Sequence, residues 1–169
     1  AQFIEGVGGN RGPYRPDISS LWDYGPHDLA MVIKLARSLP CSLAASLDDE
    51  IGGTGQNTNI ELSFPNGCRA KLKVGNAIEP KTRTLAVQTL DGRRLVNDDL
   101  APDKLRSQRA DGDYESVALG THLMPLDRMI LALVRAVRMS HRSHWSAALG
   151  EAVTGLLERV DAKIAQGAG

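Results

Sequence analysis

Two neighbouring segments with strict two-residue alternation constrain the fold of this chain more than any other feature. Residues 58–64 place Ile, Leu and Phe on one face, and residues 68–74 place Cys, Ala, Leu and Val on one face. Between them residues 65–67 read Pro-Asn-Gly, a strong turn signal. An alternating pattern with one polar face predicts a half-buried antiparallel hairpin. The apolar face of such a hairpin needs a covering layer, which helices elsewhere in the chain can supply.

The rest of the chain supplies further strands and a long helix. We expect a strand at 2–7, a loop at 8–20, a helix at 26–39 that Pro40 ends, strands at 42–50, 81–90 and 93–96, and loops at 52–57 and 98–112. This order predicts an α+β fold in which an open, largely antiparallel or mixed β-sheet carries helices on one face.

Two helices are predicted at the end of the chain, each with an apolar stripe at helical spacing. The first begins at Pro125 and is expected to bury Leu126, Met129, Ile130, Leu133, Val134 and Val137. The second covers 143–165 and is expected to bury Trp145, Leu149, Ala152, Leu156, Val160 and Ile164.

The composition argues against several classes of partner. The formal net charge is zero and aromatic residues make up 4% of the 169 residues, which disfavours nucleic acid as a partner. No apolar run reaches the roughly 18 residues of a membrane span, and the first residues do not resemble a signal peptide. The lack of an initiator Met fits a chain cut out of a longer protein. Cys41 and Cys68 form no motif, and we expect buried free thiols in the cytoplasm.

The candidate chemistry lies where the first long helix begins. Asp23 and His27 are four residues apart, so the carboxylate is within reach of one imidazole nitrogen while the other nitrogen faces a substrate. Such a pair suits general acid–base catalysis at neutral pH. An aspartate and a histidine near a helix start are also common as structural partners, and that alternative stays open. Asp28 is expected to act on the positive end of the helix dipole.

Other side chains near this pair are candidate ligands of a substrate. Arg11 and Arg15 lie in the Gly- and Pro-rich approach and can reach hydroxyl, carboxylate or phosphate groups, although solvated loop charges are an equal alternative. Trp22 suits the wall of a sugar site, or a packing role. No metal site is expected, because His141 and His144 have no visible third ligand.

Residues 22–29 read WDYGPHDL, which resembles the W-D-x-G-P-H-D-L signature of the glucose–fructose oxidoreductase, inositol dehydrogenase and MocA family. The resemblance implies the family's C-terminal, substrate-side domain with its dihydrodipicolinate-reductase-like fold. It matches Asp23 and His27 to the family's catalytic Asp and His. Residues 80–83 resemble a family strand whose lysine, here Lys81, is a candidate substrate contact. Family members oxidise a sugar or cyclitol hydroxyl and pass a hydride to NAD or NADP.

Two parts of the family pattern are missing from this sequence. No Rossmann domain is present, because the glycines at 6–9 continue into Arg11 where the fingerprint needs glycine. The Glu-Lys-Pro motif of the catalytic lysine is also absent. We therefore expect residues 1–169 to form one domain, the substrate, catalytic and dimerisation domain of a longer oxidoreductase, with no cofactor-binding residues of its own. The resemblance also implies a homodimer through the open sheet face.

Two other functions remain in view. The chain is alternatively a non-catalytic module that binds a sugar or dimerises without a cofactor domain. A hydrolase that uses Asp23 and His27 is less favoured, because no serine or cysteine stands in a nucleophile-elbow context.

Overall fold

A computed structural model describes residues 1–15, 17–48, 56–109, 111–118, 120, 124–139 and 144–167. Within these residues the chain forms one eight-stranded sheet and three helices. The strands are β1 (Phe3–Arg11), β2 (Ser42–Leu47), β3 (Asn57–Ser63), β4 (Arg69–Gly75), β5 (Ala77–Gln88), β6 (Arg94–Asp98), β7 (Leu105–Gln108) and β8 (Tyr114–Ser116). The helices are α1 (Ser20–Ala36), α2 (Pro125–Arg138) and α3 (His144–Gly167).

The sheet is mixed and largely antiparallel, as predicted. Its strand order is β2-β3-β4-β1-β5-β6-β7-β8. The predicted hairpin is confirmed, since β3 pairs with β4 in antiparallel register and Ile60 lies opposite Leu72. The pairing of β1 with β4 is parallel. The helices α1 and α3 pack on the sheet face that carries Ile4, Ile60 and Leu72, and this layer forms the core.

The first strand is longer than predicted, because it extends through the glycines that signalled a loop. Gly8 and Gly9 pair with β4 on one side and with β5 on the other. A Cβ built on Gly9 would lie 2.0 Å from the carbonyl oxygen of Gly75, so the two strands approach too closely for a side chain here. The predicted loop over 8–20 is therefore wrong for residues 8–11.

The first helix begins and ends earlier than predicted. It covers Ser20–Ala36, so Pro26 lies inside the helix rather than at its start, and Asp23 lies in its first turn. Arg37 ends the helix in the left-handed conformation with φ 57°, three residues before the predicted proline stop. The C-terminus is therefore set by a left-handed cap and not by Pro40.

Residues 98–112 are not the irregular loop that their polarity suggested. They contain β7, which pairs with β6 and with β8 at the edge of the sheet. The residues of β7 are all half-buried, and the short β8 is exposed. Pairing with a neighbouring strand therefore decided the structure of this segment, where the sequence offers little apolar alternation.

The prediction for the buried face of α2 is wrong, although the helix itself is confirmed. Six residues expected to be buried are exposed by 38–72% of their surface: Leu126, Met129, Ile130, Leu133, Val134 and Val137. The stripe has the expected spacing, but no described element of the chain covers it. Periodicity predicted an apolar face and could not show that this chain lacks a partner for it.

The last helix packs as predicted where its side chains are described. Leu156 and Val160 are buried, while Leu149, Ala152 and Ile164 pack partly against the core. The side chain of Trp145 and the histidines at 122 and 141 lie outside the described residues, as does most of the predicted 52–57 loop.

The two cysteines differ from the prediction in one respect. Cys68 is buried, but Cys41 is exposed, because it lies just before the edge strand β2 rather than under a helix. Neither forms a disulfide in the described residues. No helix in the described parts of the chain combines the length and hydropathy that crossing a membrane requires.

Candidate active site

The candidate site is the flank of α1 that faces the end of β1. Tyr24 donates a hydrogen bond from its hydroxyl to the side-chain oxygen of Asn10 near the end of the strand. Four residues later in the helix, Asp28 lies against Gly8, two residues earlier in the strand. The helix therefore runs antiparallel to β1, and one helical turn is matched by two strand residues. Burial and the Asp23 carboxylate raise the pKa of Tyr24, which keeps this hydroxyl protonated.

Asp28 is the buried acid of this flank. It is only 8% exposed, and it makes no hydrogen bond within the described residues. Burial raises the pKa of its carboxyl group to about 6, while the charges of His27 and Arg83 act in the opposite direction. An aspartate in the ninth position of α1 is too far along the helix to serve its N-terminal dipole, so that part of our prediction is wrong.

Gly8 makes room for the carboxylate of Asp28. A Cβ at residue 8 would lie 2.2 Å from Oδ2 of Asp28, so any side chain there would displace the carboxylate or the helix. The glycines of the sequence therefore serve close packing within β1: Gly6 lies under Leu72, and Gly9 lies beside Gly75. They form no loop before a helix and offer no cradle for a dinucleotide phosphate.

Arg83 stands across from this carboxylate. It is the register partner of Gly8 on β5, so its side chain emerges on the sheet face that α1 covers. It is exposed, and no carboxylate within the described residues lies within ion-pair distance of it. Its charge nevertheless acts on both Tyr24 and Asp28. The guanidinium therefore faces the candidate site without a bound acceptor.

His27 is exposed on the same flank of the helix, one residue before Asp28. The structure does not form the predicted contact between His27 and Asp23: no hydrogen bond joins the two side chains among the residues described here. Asp23 is also exposed, and its charge acts on Arg15 and Tyr24. The imidazole is thus open to a ligand, with Asp28 as its adjacent buried acid.

Two of the predicted substrate ligands are held in ion pairs. Arg11 contacts Glu79 with 2.6 Å between Nη1 and Oε2. Arg15 contacts Asp17 with 3.0 Å between Nη2 and Oδ2. Both pairs are well exposed, so a ligand anion can compete for either guanidinium at little cost.

The other two predicted ligands lie apart from one another. The indole nitrogen of Trp22 donates to Oδ2 of Asp161 at 2.6 Å, which ties α1 to α3. Trp22 therefore packs between helices, the alternative that its sequence context left open. Lys81 is exposed on β5, two residues before Arg83.

The sequence interpretation missed Tyr24, Asp28 and Arg83 as members of the site. Asp28 and Tyr24 stand inside the WDYGPHDL segment, and Arg83 follows Lys81 in the same strand. A signal was available in the glycine at residue 8, which marks a close approach within a strand, but the partner of that approach is set by tertiary packing.

A groove of about 670 Å³ lies at the opposite end of α1, and His27 does not line it. Its walls are the last turn of α1 and the first turns of α3, where Ile33, Leu39, Leu149 and Ala152 face it. It contains no acid or histidine that could transfer a proton. Within the described residues no group of three metal-ligating side chains occurs.

No family model and no curated protein matches this chain by sequence. Among solved structures, UDP-N-acetylglucosamine 3-dehydrogenase from Acidithiobacillus ferrooxidans matches 96% of the chain with a TM-score of 0.80 and 18% identity. Aldose-aldose oxidoreductase from Caulobacter crescentus matches 98% with a TM-score of 0.82 and 13% identity. A 3-ketoreductase from Actinomadura kijaniata, solved with NADP, matches 96% with a TM-score of 0.71 and 19% identity.

The chain shares its fold with about half of each of these oxidoreductases. It spans 53%, 54% and 52% of their respective lengths. The match covers nearly all of this chain, so the predicted α+β architecture of a sheet with helices on one face is confirmed. The identities are too low for the match to carry more than the fold, and function has to be argued from the site.

Proposed function

We propose that this chain is the substrate-binding and catalytic domain of an NAD(P)-dependent oxidoreductase that oxidises a hydroxyl of a sugar, nucleotide sugar or cyclitol. The observation that carries the proposal is the exposed His27 beside a buried acid, on a fold that three solved oxidoreductases share. Two of those enzymes are named for an aldose or a nucleotide sugar, which supports the substrate class. The resemblance of WDYGPHDL to the family signature points to the C-terminal half.

In this proposal His27 is the general base. Its imidazole is exposed and makes no hydrogen bond within the described residues, so it can accept the proton of a substrate hydroxyl as the carbinol carbon loses hydride. Asp23 is assigned to orient His27, as the resemblance implies, although the two are not hydrogen-bonded here. Such contacts are commonly long before a substrate binds. Arg11, Arg15 and Lys81 are assigned to the periphery of the substrate, where their charges are solvent-accessible.

The described residues do not fit a nicotinamide cofactor. The glycines of β1 are packed inside the sheet, and no glycine-rich turn of this chain opens onto a helix N-terminus as dinucleotide binding requires. We therefore assign NAD or NADP to a part of the protein outside these 169 residues, where it would supply the hydride acceptor. The 3-ketoreductase solved with NADP supports this choice of cofactor class.

The direct test of the proposal is His27→Ala in a protein that contains this chain and a nucleotide-binding half. Turnover should fall by about 100-fold or more, because general base catalysis is lost. Lys34→Ala is the matched control, an exposed substitution at the far end of the same helix, and should leave turnover unchanged. Turnover within a few-fold of the unsubstituted enzyme would remove His27 from the mechanism.

The alternative is a non-catalytic module that binds a sugar or dimerises, and the missing hydrogen bond between Asp23 and His27 favours it. Nicotinamide fluorescence of NADH mixed with the isolated chain bears on the difference. No change is expected if the cofactor is held elsewhere, whereas a clear change would contradict that assignment.

We further propose a homodimer formed through the open face of the sheet. That face is not covered by α1 or α3, and it carries Val7, Ala86 and Val96 around a hollow of about 340 Å³. Apolar side chains on an exposed sheet face favour a covering partner. A monomeric mass at micromolar concentration in sedimentation would contradict this proposal. The unpaired cysteines also support a cytoplasmic location, where thiols stay reduced.

A further inference from the structure

Asp28 has acceptor capacity that no described residue uses. Its carboxylate is nine-tenths buried, yet no backbone or side-chain donor of the described chain reaches it. A buried carboxylate without a donor is unfavourable, and native structures rarely leave one without a reason. Gly8 is kept bare beneath it, so the chain gives up a side chain in β1 to hold this group in place.

Arg83 has the complementary capacity. Its guanidinium carries five N–H donors and accepts nothing, and no ion pair or side-chain hydrogen bond occupies those donors within the described part of the chain. It faces the same space as Asp28, because it is the cross-strand partner of Gly8 and its charge acts on Asp28. The two charged groups nevertheless lie beyond 4.0 Å, so they do not satisfy one another directly.

We propose that Asp28 and Arg83 form a subsite for a hydroxyl group of a neutral polyhydroxylated ligand. The ligand hydroxyl donates its proton to the carboxylate of Asp28 and accepts an N–H from Arg83. A hydroxyl is the ligand group that is donor and acceptor at one atom, which is what an unused acceptor facing an unused donor requires. The subsite lies beside His27, so it holds one hydroxyl of the ligand while His27 faces another.

The charges of the two residues select against charged groups at this point. A ligand cation would be favoured by Asp28 but repelled by Arg83, and a ligand anion would meet the reverse. The opposed charges therefore favour a neutral group, while each hydrogen bond to it is charge-assisted and stronger than a neutral one. This inference rests on the proposed function for the class of ligand, and it adds the two residues that recognise a hydroxyl next to the reacting one.

The test measures discrimination for one hydroxyl in the chain of 169 residues. The probes are UDP-N-acetylglucosamine and myo-inositol, followed by NMR titration of the backbone amides, and then the deoxy analogues of whichever probe binds. Asp28→Asn removes the charge with little change of shape, and Arg83→Gln removes the guanidinium. Asp103→Asn and Arg159→Gln make the same chemical changes at exposed positions and are the matched controls.

We expect shifts at Gly8 and Asp28, and one deoxy analogue that the unsubstituted chain binds about 10- to 100-fold more weakly than the parent probe. Asp28→Asn and Arg83→Gln should bind the parent about that much more weakly and should no longer distinguish it from that analogue. A merely structural role would weaken all the probes alike. Both control variants should keep the discrimination.

The subsite is overturned if no probe shifts Gly8 or Asp28, if the unsubstituted chain binds every deoxy analogue as well as the parent, or if either variant keeps the discrimination. These failures are separable from failure of the proposed function. Normal turnover of His27→Ala removes the base and leaves the subsite, whereas undiminished discrimination in Asp28→Asn removes the subsite and leaves the base.

Discussion

Asp28→Asn should stabilise this protein at neutral pH, because it removes a buried charge that no described residue neutralises through a hydrogen bond. The carboxylate is 8% exposed, and burial raises its pKa from 3.8 to about 6. The folded state therefore holds the proton more tightly than the unfolded state does. Ionising this group on the way from pH 4 to pH 7 disfavours the folded state, which is the opposite of the usual aspartate in an ion pair.

The size of the effect follows from the shift. Each pKa unit corresponds to about 1.4 kcal/mol of differential stability, so a shift of roughly two units amounts to about 3 kcal/mol at and above pH 7. Asparagine fills nearly the same space and carries no charge at any pH. The variant should therefore match the original protein in stability near pH 4 and exceed it by about 3 kcal/mol near pH 7.5. In a domain of this size that corresponds to about 6–12 °C in Tm.

The assay is urea unfolding at pH 4.5, 6.0 and 7.5, followed by far-UV circular dichroism. The difference in free energy of unfolding between Asp28→Asn and the original chain should grow across this series, since His27 and Arg83 oppose only part of the burial effect. Asp103→Asn, an exposed aspartate, should show no such growth. A difference that is equal at all three values, or that favours the original chain at pH 7.5, would refute the view of Asp28 as a buried charge without a hydrogen-bond partner.

Two further predictions follow from packing. Gly9→Ala should destabilise the chain by about 3 kcal/mol, because the new Cβ would meet a strand carbonyl oxygen at 2.0 Å that cannot move aside, whereas Gly150→Ala meets nothing within 4 Å and should stabilise α3 by up to about 1 kcal/mol; thermal melts of the two variants compare them. In thiol titration with Ellman's reagent, Cys41 should react at once and Cys68 only on unfolding, since Cys68 is buried and burial also raises its pKa; two equally fast thiols would contradict the described packing.

Local pattern in the sequence was enough for the elements that rest on short-range regularity. The hairpin of β3 and β4 followed from alternation and a Pro-Asn-Gly turn, and the stripes of α1 and α3 followed from helical spacing. These features depend on residues within a few positions of one another. The α+β class followed in turn, because a half-apolar sheet and amphipathic helices have few ways to cover each other.

Tertiary structure decided whatever depends on partners distant in the sequence. Gly8 reads as a loop signal, yet it lies mid-strand because β4 and β5 pair on both sides and Asp28 occupies the space above it. Likewise the apolar stripe of α2 predicted burial, but no described element covers it. The sequence placed Asp23 and His27 on one helix. Only the fold brought Asp28 and Arg83 to the same space, because strand register is fixed by the whole sheet and not by the residues of one strand.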